Sequence, residues 1–328
     1  MKHPKLTLRD IEREITAGNR AVLARAITLS ESKKTADRKQ ADELLSLLLP
    51  RTGHSLRIGI TGAPGVGKST FIEAFGKYLT SIGKKVAVLA VDPSSEKTKG
   101  SILGDKTRME ELARDPNAFI RPSPTNHSLG GVADSTREAI LLCEAAGYEV
   151  ILVETVGVGQ SETAVRSMVD FFLLLQLAGA GDELQGIKKG IMEMADAIVI
   201  TKADGANEKT AQQAQAEFQH ALHLFQSAES GWQPKVVVAS STENKGIDGV
   251  WQMIQTFIAL VRGNKFFILN RQQQNLHWFH ENVDRQVREK VLRAKTTQKQ
   301  IKSMEKKIAA GKITPSKASA EILRTIRA

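Results

Sequence analysis

Apolar positions along the chain follow two different periods, and the switching between them outlines the fold. Runs of consecutive apolar residues at Ile58–Ile60, Val86–Val91, Phe119–Ile120, Val150–Val153, Phe171–Leu175, Ala197–Ile200 and Val236–Ala239 read as strands buried on both faces. Helix-period segments lie between them. In Ser69–Ile82, the side chains of Phe71, Phe75, Leu79 and Ile82 share one face, and Gly83 supplies a C-terminal stop. Strands alternating with helices predict an α/β domain built on a doubly wound, mainly parallel sheet. Ahead of this rhythm, residues 1–50 carry Ile11, Ile15, Leu23 and Ala26 at helical spacing and a second apolar stretch at Leu44–Leu49. Turn-rich Pro50–Ser55 closes that region. After about Asn264 the pattern changes to long polar helices, and Thr314-Pro315 reads as an N-cap and first residue of a last helix to Ile326. The expected organisation is a helical arm over 1–50, the α/β domain over 51–264, and a C-terminal helical arm over 265–328. Short helices bury too little surface alone, so the C-terminal arm is expected to pack on a partner subunit.

The first predicted strand runs into Gly62-Ala63-Pro64-Gly65-Val66-Gly67-Lys68-Ser69-Thr70, which opens the Ser69–Ile82 helix. This is the G-x-x-x-x-G-K-[ST] phosphate loop in its strand–loop–helix context. Glycines let successive backbone N–H groups curl around phosphate oxygens, and the helix N-terminus adds a favourable dipole. In that setting Lys68 neutralises β- and γ-phosphates and the Ser69 hydroxyl ligates Mg²⁺. The next strand ends in Asp92, which the helical crossover puts at the same carboxyl edge. There a carboxylate either holds a magnesium-bound water, orients the attacking one, or simply caps a turn before Pro93. Asp105 is a second acidic residue, on a loop. Strand Val150–Val153 leads into Glu154, followed three residues later by Gly157. That spacing lets the acid reach Mg²⁺ through water while the Gly157 N–H senses the terminal phosphate. Val158 follows Gly157, so no glutamine stands where fast GTPases orient water, and slow intrinsic hydrolysis is expected. Gln160 is either the substitute or an ordinary polar loop residue.

Strand Ala197–Ile200 ends in Thr201-Lys202-Ala203-Asp204, an [NT]-K-x-D element about 130 residues after the phosphate loop. Its Asp accepts from guanine N1–H and the exocyclic amine, while the Lys stem covers the base. Adenine lacks that donor pair, which selects GTP and GDP over adenine nucleotides. Thr201, in place of the commoner Asn, is expected to weaken the link between this loop and the phosphate loop. Ser240, Ser241 and Thr242 follow the last strand, where backbone N–H groups would meet guanine O6. Their side chains depart from the usual Ser-Ala-Lys, a departure that matters little if the contact is main-chain.

Composition narrows the picture without redirecting it. The apolar fraction of 41% and charged fraction of 25% suit an ordinary globular protein, and no apolar run approaches the roughly 18 residues of a membrane helix. The single Cys143 excludes an intramolecular disulfide and a multi-thiolate metal cage, and the N-terminal residues lack the apolar stretch of a secretory signal; a cytoplasmic location is expected. Of the net charge of +10, residues 266–328 carry +9, from 14 Lys or Arg against 5 Asp or Glu. No aromatic is interleaved among the later charges, so a solvated face is favoured over nucleic-acid binding.

Taken together, Gly-Ala-Pro-Gly-Val-Gly-Lys-Ser-Thr, Ala-Val-Asp-Pro-Ser-Ser, Gly-Ser-Ile-Leu-Gly-Asp-Lys-Thr-Arg, Val-Glu-Thr-Val-Gly-Val-Gly-Gln-Ser-Glu-Thr and Gly-Asp-Glu-Leu-Gln-Gly-Ile-Lys-Lys-Gly closely resemble the MeaB/ArgK-type GTPases, metallochaperones of methylmalonyl-CoA mutase. The match runs from about residue 10 to 260. The resemblance implies a homodimeric GTPase that gates adenosylcobalamin loading and protects an adenosylcobalamin-dependent acyl-CoA mutase. It implies Ser69, Asp92, Asp105 and Glu154 around Mg²⁺, and Gly179–Lys189 as a further switch loop toward the mutase. Rival readings are a P-loop kinase, a nickel-insertion GTPase and a nucleic-acid-binding regulator. The nickel reading lacks its Cys/His cluster: Cys143 sits on an apolar helical face, and His277 and His280 read as surface or interface residues. Thr125–Gly130, with His127, is only superficially like a cobalamin-ligand signature.

Overall fold

The computed structural model describes residues 6–91, 109–122, 129–155, 161–178, 189–222 and 228–325. Two compact units follow one another, Met1–Arg271 and Gln272–Ala328.

In the first unit, three helices come first: α1 (Leu8–Thr16), α2 (Arg20–Ser30) and α3 (Thr35–Leu48). Local chemistry starts two of them. The Thr7 hydroxyl accepts the Asp10 N–H while the Asp10 carboxylate accepts the Thr7 N–H, a capping box for α1, and the Asn19 side chain caps α2. Strands and helices then alternate: β1 (Leu56–Gly62), α4 (Lys68–Ser81), β2 (Val86–Val91), α5 (Glu110–Arg114), β3 (Ala118–Arg121), α6 (Leu129–Ala145), β4 (Val150–Thr155), α7 (Ser161–Arg166), β5 (Phe171–Leu177), α8 (Lys189–Met194), β6 (Ala197–Thr201), α9 (Glu208–Leu222), β7 (Lys235–Val238) and α10 (Ile247–Gly263). All seven apolar runs are strands. They form one sheet in the order β3-β2-β4-β1-β5-β6-β7, and every pairing is parallel.

Side-chain alternation divides the core. Ile58, Ile60, Leu152, Leu173 and Leu175 face α4 and α10, with Phe71, Phe75, Ile254 and Phe257 packed on them. Ile151, Val153 and Phe172 face the other way, against α6, α7 and the N-terminal helices, whose Ile15, Leu23, Leu44 and Leu48 are fully buried there. Leu174, Ile198 and Ile200 continue that face beneath α8 and α9. Residues 6–48 thus roof half of the sheet. Cys143 is buried in this layer, and burial pushes its thiol up. Strand order reverses around β1, placing the crevice at the carboxyl ends of β1 and β4.

The second unit is helical. α11 (Phe266–Arg293) runs into it, followed by α12 (Lys295–Ala309) and α13 (Pro315–Thr325). As the sequence predicts, α13 starts at Pro315, and the Thr314 hydroxyl accepts the Lys317 N–H at 3.3 Å. Among the described residues no helix is long and apolar enough to cross a membrane.

Candidate functional site

The phosphate loop is positioned from below. Val66, 1% exposed, inserts into the core between β1 and α4, and its N–H donates to the Ala63 carbonyl at 3.3 Å. Gly62 is compulsory for packing: a Cβ there would lie 2.6 Å from the Leu175 carbonyl oxygen and 2.9 Å from Val66 Cγ1. Gly67, at the N-cap of α4, has a φ of 94°, which glycine alone adopts freely. Among the described residues no side chain caps the first turn of α4, whose leading N–H groups point out of the helix end as an anion site requires. Pro64, Gly65 and Thr70 are exposed along the rim, with Ala63 and Ser69 half-buried. The Lys68 ammonium bends over the loop and donates to the Gly62 carbonyl at 2.7 Å and to Ala63 at 3.3 Å. Burial pushes its pKa down, and the fields of Glu154 and Glu162 pull it back up.

Glu154 is the next-to-last residue of β4, 3% exposed, and Glu162 stands in the first turn of α7 at 2%. β4, which carries Glu154, pairs with β1, which runs into the phosphate loop ahead of Ser69. Asp92, Asp105, Gly157 and Gln160 lie outside the described residues, as do His127 and positions 179–188 of the Gly179–Lys189 loop.

The base loop adds to the sequence reading at two points. Thr201 does not leave the phosphate loop unlinked: its buried hydroxyl lies 2.8 Å from the Val66 carbonyl and 3.1 Å from that of Gln176, with the proton to serve either. A short hydroxyl suffices because β6 ends close enough for it to reach. Nor are the Ser240 and Thr242 side chains incidental. Both hydroxyls donate to Asp204 Oδ2, each at 2.9 Å, and hold its carboxyl below the usual carboxylate range. Ser240 is held in turn by a two-way backbone bridge to Lys245 around Ser241 and Thr242. Lys202 adopts a φ of 55°, unusual for a non-glycine residue, and its Cε comes within 3.9 Å of the point where a Cβ on Gly67 would stand. The strained backbone aims the lysine stem across the phosphate loop. The only sequence signal for these hydroxyl contacts was Ser or Thr immediately after a strand.

A parallel sheet with a phosphate loop after its first strand, and a T-K-x-D loop bonded directly to it, defines a P-loop GTPase. Residues 23–296 match the family model described as methylmalonyl Co-A mutase-associated GTPase MeaB, and the chain belongs to that family. It is 48% identical to a probable GTPase of Mycobacterium tuberculosis over 98% of this chain and 96% of the relative. It is 50% identical to the GTPase ArgK of Escherichia coli over 86% and 85% of the two chains, and 46% identical to the mitochondrial methylmalonic aciduria type A homolog of Mus musculus over 95% and 78%. A solved structure described as a LAO/AO transport system kinase superimposes with a TM-score of 0.79 at 38% identity, covering all of both chains.

Proposed function

We propose that this GTPase is a Mg²⁺-dependent guanine-nucleotide switch that chaperones an adenosylcobalamin-dependent acyl-CoA mutase of the methylmalonyl-CoA mutase type. The observation that carries the guanine reading is Asp204, aligned by two hydroxyls on a loop whose neighbour Thr201 is bonded to the phosphate loop. The Asp204 carboxylate accepts the two N–H donors that guanine offers and adenine does not. Lys68 and the α4 N–H groups hold the phosphates and stabilise charge developing on the transferred phosphoryl group, with water as acceptor.

The residues fit a magnesium ion by donor chemistry: the Ser69 hydroxyl and the buried Glu154 carboxylate are hard oxygen donors beside the loop, and Mg²⁺ takes few protein ligands alongside phosphates and waters. When bound, the ion would neutralise phosphate charge. Asp92 and Asp105 complete the proposed set, with Gly157 and Gln160 at the γ-phosphate. The client class is supported by the family description and by the name of the mouse relative. A homodimer built through the C-terminal helices is supported by the exposed stripe Leu276, Phe279, Val283 and Val287 on α11.

The test is co-purification with a candidate mutase, then calorimetry of GTP and ATP with magnesium and phosphate release with and without the mutase. Equal affinity for the two nucleotides overturns the guanine reading; no complex overturns the client. The kinase description of the solved relative is tested with γ-labelled GTP: label on an acceptor rather than in free phosphate favours that rival.

A further inference from the structure

The β1–β4 ladder ends early. Its last register pair is Ile60 with Glu154, yet both strands continue, β1 pairing onward with β5 through Thr61 and Gly62, and β4 with β2 through Thr155. At this split the two strands are joined by side chains. The Thr155 hydroxyl donates to the Thr61 hydroxyl at 2.8 Å, with Thr155 fully buried and Thr61 2% exposed. Both side chains lie on the face that Val153 shares with the α6–α7 layer, away from water. Thr61 is the residue before Gly62 of the phosphate loop, and Thr155 is the residue after Glu154.

We infer that the Thr61–Thr155 hydroxyl bond is a positioning contact for hydrolysis: it ties β1 to β4 one residue past Glu154, where the backbone ladder has ended, and so holds Glu154 against Lys68. Glu154 acts on the Lys68 ammonium through its field, and that interaction depends on the spacing of two strand ends. A hydroxyl pair in a dry interior sets the spacing more narrowly than apolar packing does, because its geometry is directional. The phosphate loop itself is shaped by Gly62, Val66 and Gly67 on the opposite face, so nucleotide affinity does not rest on the pair. The role of Glu154 follows the reading given above; the coupling of the two threonines does not.

The test is a double-mutant cycle with Thr61→Val and Thr155→Val, which keep the side-chain shape and remove the hydroxyl, in the full chain. Each single variant is expected to lower kcat about five- to tenfold, the worth of one hydrogen bond, with KM and the Kd for GTP and GDP within about twofold of the parent. The double variant is expected to lose no more than either single, because one bond is removed in all three. Thr155→Ser keeps the hydroxyl and is expected to restore kcat to within about twofold. Losses that multiply in the double variant, an equal loss of nucleotide affinity, or unchanged kcat in both singles would overturn the inference. If the valine variants fail to fold, Thr155→Ser decides alone: a serine variant that folds but loses kcat as a valine is expected to do refutes a hydroxyl role. Loss of the predicted nucleotide preference in the parent protein would instead strike the underlying GTPase site, which separates the two failures.

Discussion

The Thr201 hydroxyl reaches the Val66 carbonyl at 2.8 Å, so the loop that reads the base and the loop that grips the phosphates share a hydrogen bond 135 residues apart in sequence. Thr201→Val removes the donor and leaves a buried carbonyl with less to bond. GTP affinity is expected to fall about tenfold, and Thr201→Asn, which restores a donor, to recover most of it. Calorimetry on the three proteins checks this.

Asp204 is a surface carboxylate whose orientation comes from Ser240 and Thr242. Asp204→Asn replaces an acceptor with a donor facing guanine N1–H, and GTP binding is expected to weaken on the order of a hundredfold or more. Thr242→Val leaves the carboxylate but frees one side of it, so a smaller loss is expected, seen chiefly as a narrowed preference for GTP over ATP. Competition binding with both nucleotides measures the two effects.

Among the described residues, the Lys68 ammonium hydrogen-bonds to the loop carbonyls of Gly62 and Ala63. Lys68→Ala therefore removes phosphate-directed charge with little effect on packing. Phosphate release is expected to drop to background while thermal stability stays within a few degrees of the parent.

At the amino edge of the sheet, far from the phosphate loop, Arg271 grips Asp170 with two bonds of 2.7 Å and also donates to the Gly53 and Ser55 carbonyls. The Asp170 side chain is 2% exposed and also accepts the Arg57 N–H. Removing only the cation strands a buried carboxylate. Arg271→Ala is expected to destabilise by about 3–5 kcal/mol, whereas Arg271→Met with Asp170→Leu should recover much of the loss. Denaturant unfolding measures both, and an Arg271→Ala protein as stable as the parent would show that the pair is solvated.

Much of this protein is determined by local sequence. Period and turn chemistry specify all seven strands, the phosphate loop with its helix, and the Pro315 start of α13, since each depends on residues within a few positions of one another. Tertiary structure alone decided which strand ends meet. The β3-β2-β4-β1-β5-β6-β7 order brings Thr201 to Val66, Thr242 to Asp204 and Thr155 to Thr61. Nothing in the neighbourhood of any of these threonines announces a partner 38 to 135 residues away. Side-chain hydrogen bonds act over about 3 Å, so their existence is settled only when the packed sheet fixes where each strand stops.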